Sequence, residues 1–461
     1  MSDQTRFVLP ESEIPTAWYN INADMPVDVG PILNPATREP ATFDYMADLF
    51  PRRFVEENVS TERWIEIPKP VREIYKMWRP TPLVRARRLE KALNTPAHLY
   101  YKFEGASPVG SHKPNTAVPQ AFYAMEEGVK SLVTETGAGQ WGSSLAMACN
   151  FFGLDCRVFM VRVSYGQKPF RRVLMESYGA KVYPSPSDQT AYGRQLLADN
   201  PDHPGSLGIA ISESIDAIAH ARGTLKYALG SGVSAVLMHQ TVIGLEAQKQ
   251  FAMAGEYPDI VIGCIGGGSN FAGFAFPFLR ETLTEGRRMR VIAVEPVACP
   301  SLTKGVYAFD YVDTQGVGPI AKVYTLGHDF IPPAIHAGGL RLHFMAPHVS
   351  ALYHNGDIEA VAVSQEQTFE AGMMFLKSEG FIPAPESAHA VRVAIDEAIR
   401  CREEGTRKVI AFNVSGHGLL DLAAYDQYLR GTLVDTSYPA DEVAKALKTL
   451  PQVGQLEPVQ V

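Results

Sequence analysis

Asp259-Ile260-Val261-Ile262-Gly263-Cys264-Ile265-Gly266-Gly267-Gly268-Ser269-Asn270 reads as an apolar strand ending in a glycine turn, with a helix opening near Phe271. Successive glycine N–H groups at a helix amino terminus bind a phosphate, and Ser269 and Asn270 add side-chain donors. Outward from this turn, short apolar runs alternate with helical stretches. Strands are expected at 98–103, 131–134, 157–163, 181–183, 235–239, 260–265, 291–295 and 409–412. Helices are expected at 114–127, 142–152, 168–177, 244–254, 271–281, 365–379 and 387–404. Such alternation is the pattern of parallel α/β structure, here two three-layer α/β domains with mainly parallel sheets and a cleft between them.

The length of 461 residues is too great for one ordinary core. The expected division is an amino-terminal extension at 1–78, rich in proline and aromatics and carrying a short helix near 47–57. Domains at 79–235 and 236–432 follow, then a tail at 433–461. The stretch from Cys299 to Ala362 is rich in Gly, Pro and His with weak periodicity, and is expected to cover the cleft. Against 42 basic residues stand 50 acidic ones, and no basic run interleaves with aromatics, so nucleic acid is excluded as a partner. The five cysteines are scattered, odd in number and never spaced Cys-x-x-Cys, which argues against a disulfide framework or a zinc site. Met1-Ser2-Asp3-Gln4-Thr5-Arg6 lacks a signal-peptide plan and no apolar run reaches spanning length. A cytoplasmic protein without a membrane partner is expected.

Gly110-Ser111-His112-Lys113-Pro114-Asn115 holds one lysine where a helix begins, with Ser111 as the expected N-cap and Pro114 in the first turn. The helix end and a dry cleft would lower its pKa, as a Schiff-base lysine requires. About twenty residues on, Thr134-Glu135-Thr136-Gly137-Ala138-Gly139-Gln140-Trp141-Gly142 places one carboxylate before a glycine loop. Such a loop grips a small anionic substrate through its N–H groups while Glu135 moves protons. A Schiff-base lysine together with a phosphate cradle points to pyridoxal phosphate. Ser415, beyond the strand 409–412, lies where open α/β folds place ligands. A serine hydroxyl facing a pyridine nitrogen would leave that nitrogen unprotonated. Glu386 and His389, at the start of the last long helix, either cap it or face the cofactor.

Bland and rival readings stand beside these. The run from Gly137 to Gly142 formally matches a dinucleotide fingerprint, but the next strand ends in Val161-Arg162-Val163-Ser164, with no acid to bind a ribose. The histidines between His328 and His354 fit no standard metal spacing, so no metal site is assigned.

With lysine, glutamate loop, glycine cradle and carboxyl-terminal serine in this order, the chain from about Arg79 to Leu433 resembles the tryptophan synthase β chains. Within them it is most similar to the second lineage, in which the lysine motif reads Ser-His-Lys-Pro-Asn and the loop ends Gln-Trp-Gly. The resemblance implies fold type II of the pyridoxal-phosphate enzymes, a homodimer, and a monovalent cation as a second candidate cofactor. An α subunit is allowed but not required, and the extension favours stand-alone action. Carried over, Lys113 bears the cofactor and moves the α-proton, with His112 and Asn115 beside it. Gly266, Gly267, Gly268, Ser269 and Asn270 hold the phosphate, Glu386 lies beside the ring, and Ser415 faces its nitrogen. Glu135 is the general acid and base. Thr136, Gly137, Ala138, Gly139, Gln140 and Trp141 bind the substrate together with Arg341, which would suit a phosphorylated serine.

The implied reaction is a β-replacement joining L-serine, or phosphoserine, to indole to give L-tryptophan. Departures fall at Gly339-Leu340-Arg341-Leu342-His343-Phe344, where the lineage has Tyr and Gly at the places of Leu342 and Phe344, and at Leu419-Leu420. Both are expected near the acceptor pocket or its cover. They keep open a serine/threonine dehydratase or a β-substitution synthase with another nucleophile. A nicotinamide dehydrogenase and a scaffold without catalysis are the more distant alternatives.

Overall fold

The apolar run after Asp259 becomes the strand Ile260–Cys264, every residue of which is buried. It is flanked on both sides by parallel partners, Val409–Val414 and Arg290–Pro296. A strand paired on both edges and covered on both faces has no polar side to show, which is why its sequence does not alternate. In the computed structural model, which describes residues 4–221 and 223–453, this strand sits in a seven-stranded sheet. The order is Arg6–Phe7, Leu83–Arg85, His98–Phe103, Val409–Val414, Ile260–Cys264, Arg290–Pro296, Glu359–Val363. Leu83–Arg85 pairs antiparallel with both of its neighbours, and the remaining pairings are parallel. A second sheet of four parallel strands runs Lys181–Ser185, Asp155–Val161, Ser131–Thr136, Leu225–Tyr227. The expected α/β architecture with mainly parallel sheets is thus present. The end of the expected tail, 454–461, and residues 1–3 of the opening segment lie outside the described residues.

Four expectations change. The strand His98–Phe103, grouped by sequence with 79–235, pairs with Val409–Val414 in the larger sheet. Residues expected as a strand at 235–239 form the helix Ser234–His239, buried all round. A short apolar run buried on every side carries no periodicity to separate helix from strand. Where one of the arm's short helices was expected at 47–57 there are two, Phe43–Leu49 and Arg52–Val59, interrupted before Pro51, whose ring and missing N–H cannot continue a helix. The cover is more regular than its composition suggested. It contains the antiparallel hairpin Val306–Tyr311 with Ile320–Thr325, the helix Pro347–Asn355, and the edge strand Glu359–Val363.

The amino-terminal arm is held by its aromatics. Trp18 and Tyr19 are fully buried; Trp18 packs on the His239 ring at 4.5 Å, and the Tyr19 N–H donates to Thr241 Oγ1 at 2.9 Å. No helix among the described residues is long and apolar enough to cross a membrane.

Beneath the junction of arm and sheet lies a group of buried charges. Arg79 donates to Glu246 through Nε (2.8 Å) and to Glu104 through Nη1 (2.9 Å), and Lys102 donates to Glu246 at 2.8 Å. All four side chains are essentially without solvent contact, and their formal charges cancel. A complete buried set is tolerated because each charge has its partners; an incomplete one is not. Glu246→Ala would leave Arg79 and Lys102 short of one carboxylate. It is expected to lower unfolding stability by about 3–5 kcal/mol in denaturant titration; a loss below about 1 kcal/mol would show that the cluster relaxes or admits water.

Candidate active site

The motif loops of the site follow the carboxyl ends of strands in the two parallel sheets, the position where open α/β sheets gather ligands. After Ser131–Thr136 comes the run Gly137–Gly139, after Ile260–Cys264 the glycine cradle, and after Val409–Val414 comes Ser415. Lys113 arrives from His98–Phe103 through a short turn and stands at the N-cap of the helix Pro114–Glu126, with Pro114 in its first turn. Ser111 was expected at that cap, but Lys113 takes it, and its side chain makes no capping bond. The amine is therefore free to turn inward, donating to Ser269 Oγ at 2.8 Å and to the Gly230 carbonyl.

Burial holds the Lys113 amine down to about 8, against the opposing pull of Glu135. Burial and the neighbouring Lys113 hold His112 down to about 3, so its ring is neutral, lying 3.3 Å from Ser269 Oγ. Glu135 moves the other way. Burial pushes its carboxyl up to about 7, against the Tyr227 hydroxyl that donates to it.

The two loops are glycine-built for steric reasons. Gly268 has φ +111°, and a Cβ on Gly267 would sit 2.7 Å from Ser231 Oγ. Gly139 has φ +92° and would press on Arg171 Cβ at 2.7 Å. Glu386 joins the carboxylate loop to the cover, accepting from Gln140 Nε2 at 3.2 Å and from the Gly339 N–H at 2.9 Å. The buried Ser415 hydroxyl is 2.8 Å from Ser387 Oγ, a neutral partner. His389, which sequence left between capping and the cofactor, places Nδ1 2.8 Å from the Pro385 carbonyl within its own helix.

One cavity of about 140 Å³ takes in most of the expected residues: His112, Lys113, Glu135, Thr136, Gly137, Ala138, Gln140, Trp141, Gly266 to Asn270, Glu386 and Ser415. Three expected residues are not in its wall. Asn115 faces the buried charges, accepting from Arg79 at 2.9 Å and donating to Gln240 at 3.0 Å. Gly139, the last residue of the loop, backs onto Arg171 and Met160, and Arg341 donates to Ser164 Oγ at 2.7 Å. Of the departures, Leu342 and Phe344 line the cavity, while Leu419 is 60% exposed and outside it. The remaining wall was not foreseen. Ile32, Met46, Leu49 and Phe50 come from the arm, and Leu207, Ile211 and Ile215 from the helix Leu207–Ala219. Their only signal in sequence is apolarity, which a core position shares.

A family model described as pyridoxal-phosphate dependent enzyme matches residues 74–416. The tryptophan synthase beta chain 2 of Aeropyrum pernix is 60% identical over 440 residues, covering 95% of this chain and 98% of that one. That of Aquifex aeolicus is 57% identical over 433 residues, covering 93% and 100%. The chain belongs to the tryptophan synthase β-chain family. Its fold type II architecture is shared with two solved structures. O-acetyl serine sulfhydrylase isoform 3 of Entamoeba histolytica has a TM-score of 0.57 at 16% identity, covering 81% of this chain and 95% of that one. A fungal L-serine ammonia-lyase from Rhizomucor miehei has a TM-score of 0.57 at 15% identity, covering 77% and 98%.

The residues fit the family's cofactor, pyridoxal phosphate. The glycine cradle ends on the helix Ser269–Glu285, whose amino terminus and hydroxyls suit a phosphate. Lys113 points its amine at Ser269 of that cradle, and Ser415 offers a hydroxyl from the adjoining strand end. Because only the neutral amine attacks an aldehyde, capture of pyridoxal phosphate by the cofactor-free protein should speed up as pH rises. It should level off above about 8 instead of climbing on toward the ordinary lysine range. Stopped-flow absorbance over that range reads this directly. Lys113→Ala should lose the borohydride-reducible linkage, and a linkage surviving at another lysine would refute the assignment.

Proposed function

We propose that this chain is a pyridoxal-phosphate-dependent lyase joining L-serine to indole by β-replacement, giving L-tryptophan. The observation that carries the reading is that Lys113 and Glu135 open into one cavity, part of whose wall is an apolar surface that includes Phe50, Leu207, Ile211 and Phe344. Two proton-moving groups and an aromatic-sized apolar surface are what addition of indole requires.

When bound, the cofactor supplies an electron sink that makes the amino-acid α-carbon acidic and its β-substituent a leaving group. The protein does the rest. Residues 136–140 hold the substrate carboxylate through N–H groups at the start of the helix Gln140–Phe152. Lys113 takes the α-proton and returns it at the end. Glu135 gives its proton to the departing β-oxygen, which leaves as water, and later accepts the proton released from indole C3. Its pKa near 7 keeps both forms available at neutral pH. Ser415, a neutral donor, leaves the cofactor nitrogen unprotonated. The apolar wall holds indole and excludes water from the β-carbon.

Phosphoserine is the second donor in this reading. Arg341 is buried, and its Nε has no partner among the described residues. Burial lowers it to about 10, and because it lies outside the cavity wall on Ser164 Oγ, it would meet an anionic leaving group only after its side chain turned inward. We also read the working form as a cytoplasmic homodimer, in keeping with the resemblance, and as needing no α subunit, since the arm's own Ile32, Met46, Leu49 and Phe50 wall the cavity.

The deciding measurement offers indole, small thiols and water to the enzyme with serine and phosphoserine in separate reactions. Tryptophan is expected as the main product; pyruvate or another adduct in its place would move the chain to a dehydratase or another β-substitution synthase. Phe344 narrows the acceptor side where the lineage has glycine. Phe344→Gly should raise kcat/KM for ring-substituted indoles by about tenfold relative to indole. Leu419→Ser, outside the cavity, should leave that ratio unchanged.

A further inference from the structure

Glu135 is surrounded by oxygens, but only one of them has a proton to give it. Thr134 Oγ1 lies 3.3 Å from Glu135 Oε2, yet its single hydrogen is directed to the Ala228 carbonyl at 2.6 Å. The same oxygen accepts from Trp141 Nε1 at 2.6 Å, which fixes its lone pairs. That leaves the Tyr227 hydroxyl, which donates to Oε2. Both of these side-chain contacts fall on Oε2, and beyond them the only donor bearing on the carboxylate among the described residues is Glu135's own backbone N–H, so Oε1 is the oxygen left to exchange a proton.

Tyr227 is itself held from two directions. Its backbone lies in register with Val133, two residues before Glu135, on the paired strands Leu225–Tyr227 and Ser131–Thr136. Its ring stacks on Phe50 of the arm, with centroids 5.5 Å apart and planes 19° from parallel. Phe50 is buried, and its N–H closes the helix Phe43–Leu49 on Met46. The other groups that act on the pair are Lys113, on Glu135, and Asp313 and the Ser214 hydroxyl, on Tyr227.

We infer that Tyr227 is the positioning residue for Glu135: its hydroxyl pins Oε2, turns Oε1 to the cavity and steadies the carboxylate left after each proton is given up. The inference rests on the reading of Glu135 as the general acid and base. The phenol keeps its own proton, because burial and the adjacent Glu135 raise it well above its ordinary value. A donor that holds the carboxylate form lowers the carboxyl's proton affinity and offsets part of the burial that raises it.

The test uses the holoenzyme and reads Glu135 directly by infrared titration of its carboxyl, with Glu135→Gln as the assigning difference. Tyr227→Phe keeps the ring and its stack on Phe50 but removes the hydroxyl. The midpoint should rise by about one pH unit. The kcat should fall about tenfold with the serine KM within about twofold, because Oε2 loses its anchor and the substrate's own contacts remain. Replacement of Tyr227 by 3,5-difluorotyrosine, a stronger donor at the same place, should move the midpoint down. Damage to folding or packing would not produce opposite shifts from these two changes. An unmoved midpoint in Tyr227→Phe, or a shift of the same sign in both variants, overturns the inference. Full turnover in Glu135→Gln would instead overturn the acid/base reading beneath it, whatever Tyr227 does.

Discussion

Water exclusion around the Lys113 amine is the constraint on which the remaining structure depends. Burial is the largest influence on Lys113, His112 and Glu135, and it moves each toward its neutral form. A neutral amine and a carboxyl poised near neutrality are useful only in a cavity that stays dry, and neither sheet alone could keep it so. The larger sheet contributes the cradle and Ser415, the smaller one Glu135 and its loop. The cover closes one side through Gly339, Leu340, Leu342 and Phe344, and the arm closes another through Met46, Leu49 and Phe50. The extension that sequence treats as an addition to the core is, in the fold, part of the wall.

The arm is tied to the catalytic region by hydrogen bonds as well as by apolar contact. Glu57 accepts from the Tyr123 hydroxyl at 2.6 Å and lies 2.8 Å from His239 Nε2; the other ring nitrogen is 3.0 Å from Thr116 Oγ1. Gln120 donates to Thr116 Oγ1 and spans to both backbone groups of Leu229, next to the Gly230 carbonyl that receives the Lys113 amine. A buried polar chain of this kind is stable only when its members are mutually satisfied, and it then fixes one arrangement of the elements it joins. The position of the arm and the orientation of the lysine's acceptor are therefore set together.

What sequence revealed, and what it did not, divides along a physical line. The cradle, the lysine turn, the carboxylate loop and Ser415 were legible because each is a local device in which adjacent residues supply the chemistry. Asn115 belongs to such a run, yet its side chain turns to Arg79 and Gln240, because adjacency fixes the backbone's course and not the face a helical side chain presents. The acceptor wall was illegible for a different reason. Phe50, Leu207, Ile211 and Phe344 come from three distant parts of the chain and are apolar residues like those of any core. Tyr227 too has no motif; its role exists only because Leu225–Tyr227 pairs beside Ser131–Thr136. The missed helix Ser234–His239 and the missed edge strand Glu359–Val363 are similar failures of local pattern, one buried all round and the other short and half-exposed.

The same division separates what the enzyme does from what it accepts. On the proposed reading, cradle, lysine and Ser415 engage the phosphate, aldehyde and ring nitrogen of the cofactor, and the carboxylate loop engages a group common to every amino-acid substrate. None of these contacts distinguishes one nucleophile from another. Discrimination among acceptors falls to the shape of an apolar surface, where one methylene is worth about 1–3 kcal/mol and a single large side chain can exclude a ring by overlap. That surface contains Leu342 and Phe344, two of the departures read from the sequence, while a third, Leu419, lies in the open. On the proposed reading, the departures within the cavity act on the acceptor and leave Lys113 and Glu135 as they were, so a change of nucleophile in this fold needs no change in its cofactor chemistry.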